Sequence, residues 1–159
     1  MLVPQLQSVK GWSPDITCVP TTICGVTLMF PDQATGLLSV AGFLLGKVLP
    51  VTPQSDYPVE VWATALKMFG WKLKRELIGD DKEYGELPTI EEYMSFSLNN
   101  GVRLVFCVQE QGSTHLFAAN GNEYVDSNNG GKRLVFTGVL ETLGGFRVKH
   151  TFRPVHMQS

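Results

Sequence analysis

Apolar residues recur at helical spacing through the first half of the chain. An apolar stripe predicts a first helix from about residue 18 to 29, which Pro31 is expected to stop. The stripe consists of Val19, Ile23, Val26 and Phe30. Further apolar runs predict a second helix over 34–45 and a third over 59–68, closed by Gly70. The first half is therefore predicted to be mainly helical.

Alternating apolar and polar residues dominate the second half. The segment 71–77, WKLKREL, alternates as a strand, and Thr89 is expected to cap a short helix over 89–98. From Gly101 onward, β-rich segments are separated by turns that contain Gly or Asn. The segments are VRLVFCVQ, THLFAA, NEYVDS, KRLVFTG and FRVKHTFRPV. Helices followed by strands predict an α+β fold in which N-terminal helices pack against a C-terminal antiparallel β-sheet.

The size and charge of the chain narrow the class of protein. Its 159 residues, 43% of them hydrophobic, suit one domain over residues 1–159. The net charge of −2, with scattered Lys and Arg, provides no basic patch for nucleic acid. The apolar run 37–45 is too short to cross a bilayer, and the N-terminus lacks the pattern of a secretion signal. We therefore expect a cytoplasmic protein with neither a nucleic-acid nor a membrane partner. The oligomeric state stays open.

The three cysteines are an odd number without regular spacing, which argues against a disulfide framework and favours a reducing compartment. No second Cys or His pair lies at ligand spacing from Cys18 and Cys24, so neither a metal nor another cofactor is expected. Cys24 and Cys107 are predicted to pack in the core, because apolar residues surround them in the sequence. Trp12 is predicted to pack beside the first helix, with a place at a cleft entrance as the alternative. His150 and His156, in the terminal strand and tail without a paired cysteine, are predicted to lie at the surface.

Cys18 is predicted to stand at the start of the first helix. Pro20 lacks a backbone N–H and fits a helix only in its first turn, which places the helix start near residue 18. Thr17, or Asp15 just before it, is the expected capping residue. Unpaired N–H groups and the positive end of the helix dipole stabilise a thiolate at such a position. Cys18 is therefore a candidate nucleophile.

A β-hairpin supplies a candidate base and a carboxylate. The Asn-Gly pair at 120–121 is the favoured pair for a two-residue type I′ turn. With this pair in the turn, Ala119 pairs with Asn122, and His115 pairs directly with Asp126. Directly paired side chains share a face of the sheet, so the carboxylate of Asp126 is predicted to reach the imidazole of His115. A change of loop type would break this register.

Two stretches of the chain carry a family resemblance. TCVPTTI, followed later by TIEEYMSFSLNNGVRLVFCVQEQGSTHLFAANGNEYVDSNNGGKRLVFTGVLE, resembles the papain-like cysteine peptidase fold, in particular its compact bacterial and bacteriophage versions. The resemblance spans most of the chain and keeps the family's order of site residues. It implies Cys18 as the nucleophile, His115 as the general base and Asp126 as the residue that orients the base.

The resemblance leaves two positions open. Papain-like enzymes usually supply an oxyanion-hole Gln a few residues before the nucleophile, and here the upstream candidates are Gln5 and Gln7. Gln7 is preferred as the side-chain donor, with the backbone N–H of Cys18 as a further donor. Asn128 is the alternative to Asp126 as the orienting residue, because an Asn serves in many papain relatives.

The resemblance implies a small thiol hydrolase that cleaves a peptide, isopeptide or related amide bond through an acyl-thioester on Cys18. Its partner would be a protein or peptide substrate. Acyl transfer and deamidation stay open, because an amine or another acceptor can resolve the same intermediate in place of water. The compact chain is similar to bacteriophage versions, which implies action in the host-cell cytoplasm or in a virion. The alternative is a catalytically weak or inactive papain-like binding module that engages a host protein.

Overall fold

The computed structural model describes residues 4–47, 57–96 and 100–157. The α-helices within these residues are α1 Cys18–Thr27, α2 Pro31–Leu44, α3 Val59–Phe69 and α4 Ile90–Met94. The strands are β1 Trp71–Ile78, β2 Val102–Val108, β3 Thr114–Asn120, β4 Glu123–Val125, β5 Arg133–Val135 and β6 Arg147–His156. Short 3-10 turns lie at Tyr84–Glu86, Ser127–Asn129 and Glu141–Leu143. The predicted α+β class is confirmed.

The strands form one antiparallel sheet in the order β1-β6-β2-β3-β4-β5. The helices α1 and α3 pack against β3 and β1, and α2 packs on both of these helices. The core on this face of the sheet includes Ile23, Leu38, Trp62, Leu116 and Val125. A second core includes Ile90, Phe117, Tyr124 and Leu143. The sheet therefore has a buried layer on each face.

The boundary between α1 and α2 differs from the prediction. α1 ends at Thr27, and Leu28 adopts a left-handed φ of 70°. Pro31 is the first residue of α2 rather than the stop of α1. A first-turn N–H has no partner within a helix, so Pro loses nothing there, and its fixed φ suits the helix. The prediction that the second helix begins at residue 34 is therefore wrong by three residues.

The later helices follow the predicted signals more closely. α3 ends at Phe69, and Gly70 follows it with a φ of 108°, a conformation that glycine adopts without strain. The hydroxyl of Thr89 caps α4 by accepting a hydrogen bond from the N–H of Glu92 at 3.1 Å. α4 ends at Met94, earlier than predicted, and positions 97 and 98 of the predicted helix lie outside the described residues.

The register of the β3–β4 hairpin also differs from the prediction. Asn120 pairs with Glu123, so the turn consists of Gly121 and Asn122. Gly121 has a φ of 60°, which suits the first central position of a type II′ turn. The predicted type I′ turn and the direct pairing of His115 with Asp126 are therefore wrong. The register moves by two residues, which leaves every side chain on its predicted face, so the hydrophobic pattern fits both registers equally well.

The helices were also compared with the length of a bilayer. Among the described residues, no single helix is long and apolar enough to cross a membrane. α1 and α2 reach that length and composition only as a pair, and the chain bends by 113° between them.

Candidate active site

Cys18 is the first residue of α1 and is half-buried. Thr17 precedes it in an extended conformation as the N-cap residue, but its side chain makes no capping hydrogen bond. The first hydrogen bond of the helix runs from the N–H of Thr21 to the carbonyl of Thr17 at 3.1 Å. The N–H groups of Cys18 and Val19 therefore have no partner within the helix. The positive end of the helix dipole lies at this end of α1, where Cys18 is the first residue.

His115 is the second residue of β3 and is 9% exposed. Its imidazole shares a hydrogen bond with the side chain of Cys18. On the other side of the ring, Nε2 lies 2.6 Å from Oδ1 of Asp126. Because Nε2 bonds to Asp126, Nδ1 is the ring nitrogen that is available to bond to the thiol. The structure therefore joins three side chains, from α1, from β3 and from the end of β4, into one hydrogen-bonded chain.

The surroundings of His115 favour its charged form. Burial lowers the pKa of the imidazole, but hydrogen bonds and charge interactions with Asp126 and Cys18 outweigh burial and raise this pKa to about 10. The ordinary value for histidine is about 6.5. At neutral pH the ring is therefore an imidazolium, and such a cation stabilises a neighbouring thiolate. Geometry and charge together describe an imidazolium beside Cys18, held by a buried carboxylate.

Asp126 is fully buried and is the N-cap residue of the 3-10 turn Ser127–Asn129. Its Oδ1 accepts the hydrogen bond of His115 and a longer one, 3.4 Å, from the N–H of Asn128. The side chain of Asn128 is directed elsewhere, since its amide donates to the carbonyl of Thr142 at 3.4 Å. Of these two side chains, that of Asp126 and not that of Asn128 therefore bonds to the His115 ring in the described contacts.

Gln7 does not lie at the candidate site. Its side-chain amide donates to the carbonyl of Cys24 at 3.3 Å, and its backbone N–H donates to the carbonyl of Gly25 at 3.0 Å. Cys24 follows Cys18 by six residues, which is about 9 Å along a helix axis. The prediction of Gln7 as the oxyanion donor is therefore contradicted by its contacts. Gln7 instead fastens the N-terminal segment to the far end of α1.

The other two cysteines are fully buried. Burial raises the pKa of the Cys24 thiol to about 12. Burial also raises the pKa of the Cys107 thiol, and the charges of Asp126 and Cys18 add to this effect. The thiol of Cys107 donates to the backbone carbonyl of His115 at 3.4 Å, across the β2–β3 pair. Both thiols therefore stay protonated at neutral pH. Their burial agrees with the core positions predicted for them.

A small cleft opens beside Cys18 and His115. Its other lining residues are Val19, Tyr57, Trp62, Phe106, Thr114 and Leu116. Most of these side chains are apolar and several are aromatic. Phe106 also stacks on His150 at a ring distance of 5.9 Å. The candidate nucleophile therefore faces a pocket suited to an apolar group.

Sequence reasoning missed this lining and misjudged His150. Phe106 looks like an ordinary core position in β2, and only its pairing with His150 and Leu116 brings it next to the cleft. His150 is predicted to lie at the surface, yet it is 7% exposed. Its Nε2 lies 3.2 Å from Oδ1 of Asp80, and its Nδ1 accepts from the N–H of Gly79 at 3.4 Å. The alternation of β6, which places positions 150 and 152 on the same face, is the signal that indicates burial.

We compared the chain with protein-family models, with curated proteins and with solved structures, and none of the three comparisons found a match.

Proposed function

We propose that this protein is a papain-like thiol hydrolase that cleaves a peptide, isopeptide or related amide bond. The observation that carries the proposal is the continuous hydrogen-bonded chain from Cys18 through His115 to the buried carboxylate of Asp126. A nucleophile, a base and an orienting group in hydrogen-bond contact are the arrangement that nucleophilic catalysis requires. The cleft beside Cys18 provides space for the reacting carbonyl.

The chemistry follows from the positions of these groups. The thiolate of Cys18 attacks the carbonyl carbon, a C–S bond forms, and the carbonyl electron pair moves to oxygen. The N–H of Cys18 stabilises that oxyanion. The imidazolium of His115 gives its proton to the leaving nitrogen, and the C–N bond breaks. Water, deprotonated by the now neutral His115, then releases the acid from the acyl-thioester and regenerates the pair.

Asp126 has a separate task in this scheme. Its hydrogen bond to Nε2 keeps Nδ1 directed at the sulfur, and its negative charge stabilises the imidazolium. Because the carboxylate is fully buried, water does not screen this interaction. The role needs no proton transfer to Asp126.

The lining of the cleft suggests which substrates fit. Tyr57, Trp62 and Phe106 surround the space next to the nucleophile, and no charged side chain other than those of the candidate site lines it among the described residues. Binding of an apolar side chain to such a surface is energetically favourable, because it removes the side chain from water. We therefore propose that the acyl part of the substrate carries an apolar side chain next to the scissile bond.

A trapping experiment tests the proposal. The protein is incubated with a mixed peptide library, quenched in acid and digested, and the peptide that contains Cys18 is examined by mass spectrometry. An acyl adduct that hydroxylamine removes is expected on Cys18 of the wild type. His115→Ala should reduce the adduct strongly, because attack and leaving-group protonation both depend on that base. Adducts at Cys24 in equal amount, or none on Cys18 with any peptide or protein substrate, would contradict the proposal.

One observation favours a binding module as the second candidate. The end of α2 exposes apolar side chains, with Phe43 82% and Leu44 62% exposed. Contiguous exposed apolar surface is typical of protein interaction sites. In this case Cys18→Ala would leave the biological effect intact, whereas Phe43→Ser would remove it. The thiol hydrolase predicts the reverse result for the same two variants.

A further inference from the structure

We propose that Trp12 is a positioning residue that holds the loop of Asp126 in register with the helix of Cys18. The proposal rests on the function given above for its catalytic meaning, while the contacts that support it are independent of that function. The contacts that carry it join Trp12 to Thr21 and to Gly131.

Trp12 contacts both partners. Its indole Nε1 donates to the hydroxyl of Thr21 at 3.3 Å, and Thr21 lies on α1 one turn after Cys18. The indole ring also lies against Gly131, so closely that a Cβ at position 131 would stand 2.6 Å from Cδ1 of the ring. The N–H of Gly131 in turn donates to the carbonyl of Asp126 at 3.0 Å. Trp12 thus connects the nucleophile's helix to the backbone of the carboxylate.

The chain before Trp12 reinforces this connection. The N–H of Val9 donates to the carbonyl of Gly131 at 2.7 Å, and Gln7 bonds to the end of α1 as described above. The hydroxyl of Ser8 accepts from the N–H of Arg133 at 2.8 Å. Residues 7–12 therefore run between α1 and the loop 126–133 and bond to both. We call this segment the N-terminal strap.

Asp126 depends on its backbone for its position. Of its two carboxylate oxygens, Oδ1 bonds to His115 and to the N–H of Asn128, while Oδ2 is buried without a hydrogen-bond partner among the described residues. Few side-chain contacts therefore fix the carboxylate. A hydrogen bond of 2.6 Å tolerates little displacement, so the loop 126–131 must be held by other contacts. The contact of Trp12 with Gly131 is one of them, beside the hydrogen bond from Val9.

Two neighbouring glycines provide a matched test. Gly130 and Gly131 both have left-handed φ values, 73° and 66°, so alanine meets similar backbone strain at either position. A Cβ at 130 would lie 3.9 Å from the Trp12 ring, an ordinary contact, whereas a Cβ at 131 would collide with it. Gly131→Ala therefore displaces the loop or Trp12, and Gly130→Ala serves as the control for strain.

The measurement is the titration of His115, followed by NMR in protein labelled at its histidine rings. Gly131→Ala should lower the apparent pKa of His115 by a unit or more, a tenfold loss of proton affinity, and Gly130→Ala should change it by much less. Trp12→Leu should lower it as well. The double variant Trp12→Leu, Gly131→Ala should show less than the sum of the two single effects. The flexible leucine removes the rigid ring that would stand 2.6 Å from a Cβ at 131, whereas the 3.2 Å approach to Cβ of Val9 stays.

Two outcomes overturn the proposal. Equal titrations of His115 in Gly130→Ala and Gly131→Ala would mean that backbone strain, and not the indole contact, changes its pKa. An unchanged titration in Trp12→Leu would mean that Trp12 only packs against its neighbours and does not position Asp126. Trp12→Phe separates the contacts, since it keeps a ring near Gly131 and loses the hydrogen bond to Thr21. A failure of the proposed function would be recognised separately, by the absence of an acyl adduct on wild-type Cys18. The titration of His115 would still test the role of Trp12 in that case.

Discussion

Asp126 lies one residue beyond the end of β4, and its Oδ1 is 2.6 Å from Nε2 of His115 in β3. The carboxylate is thus presented by the first residue of a turn and not by a strand pair. A turn residue is free of the strict alternation of a strand, so Asp126 can reach back to a histidine that lies diagonally from it. The contact depends on how the loop after β4 is held.

Cys18 should be the most reactive thiol of the folded protein. Cys24 and Cys107 are fully buried, and burial holds both thiols in the protonated, unreactive form. Cys18 is half-buried and contacts the His115 imidazolium. Iodoacetamide at pH 7, followed by peptide mapping, should label Cys18 at least tenfold faster than the others. Equal labelling of Cys24 or Cys107 in the folded state would contradict the assignment of the nucleophile.

Asp126→Asn should preserve the fold and slow the alkylation of Cys18 below pH 7 by about tenfold or more, the effect of one pKa unit on the imidazolium. The amide still offers an oxygen to Nε2, but the imidazolium loses its anionic partner. The rate of Cys18 alkylation against pH is the measurement. Asn128→Ala is the control, because that side chain bonds to Thr142 and should leave the profile unchanged. A wild-type profile in Asp126→Asn would show that the carboxylate does not orient the base.

The stability contributed by His115 should depend on pH. Its pKa in the folded protein, about 10, lies above the ordinary value of about 6.5. Such a group contributes its full stabilisation below pH 6.5 and loses it as the pH rises through about 10. His115→Gln should lower the free energy of unfolding by about 1.5–3 kcal/mol at pH 6, the typical worth of a hydrogen bond to a charged group. Urea unfolding at several pH values should show this difference shrinking towards pH 10, and a growing difference would contradict the charge assignment.

Substitution of Gly79 should destabilise the sheet. A Cβ at this position would stand 2.7 Å from the carbonyl of Lys149 and 2.8 Å from Cδ2 of Leu87. Gly79→Ala should therefore cost about 1–3 kcal/mol, as overpacking does. Gly85→Ala is the matched control, since nothing lies within 4 Å of its Cβ position. The midpoint of urea unfolding is measured for both variants. Equal midpoints would show that the chain at Gly79 packs less closely on Lys149 than described.

Phe106 should set a preference for apolar acyl groups. It lines the cleft beside Cys18 and His115. A chloromethyl ketone made from phenylalanine should inactivate Cys18 at least tenfold faster than one made from aspartate, since a carboxylate gains nothing from an apolar pocket. Phe106→Ala should narrow this ratio without slowing alkylation by iodoacetamide, which needs no pocket. A ratio near one in the wild type would remove the substrate part of the proposal and leave the thiol chemistry intact.

The sequence alone predicted the position of the candidate nucleophile correctly, but it did not predict the register of the hairpin. Pro20 limits where α1 can begin, and the structure begins it at Cys18. Asn120-Gly121 suggested a turn, but the chain uses Gly121-Asn122 instead. A shift of two residues keeps both faces of the hairpin, so side-chain pattern alone cannot separate the two registers. The contact of Asp126 with His115 is reached in the observed register from the following turn.

Gln7 shows a different limit. The family resemblance suggested Gln7 as the oxyanion donor, although it lies farther before Cys18 than the family pattern places its Gln. A side chain in an irregular segment takes its position from whatever that segment packs against. Here the segment runs along α1 and bonds to Cys24 and Gly25. Tertiary contacts of this kind leave no periodic signal in the sequence. The lining of the cleft is unpredictable for the same reason, because Trp62 and Phe106 come from separate elements.

The central place of β6 has a consequence for how the protein acquires its site during synthesis. β6 lies between β1 and β2, although it is the last strand to leave the ribosome. Until it is inserted, β1 and α3, which packs on β1, have no strand linking them to the β2–β5 part of the sheet. Trp62 then cannot reach its ring partner Phe152, so one wall of the cleft is missing while the chain is nascent. The proposed thiol hydrolase would therefore complete the cleft beside Cys18 only after β6 has been translated and has paired with β1 and β2.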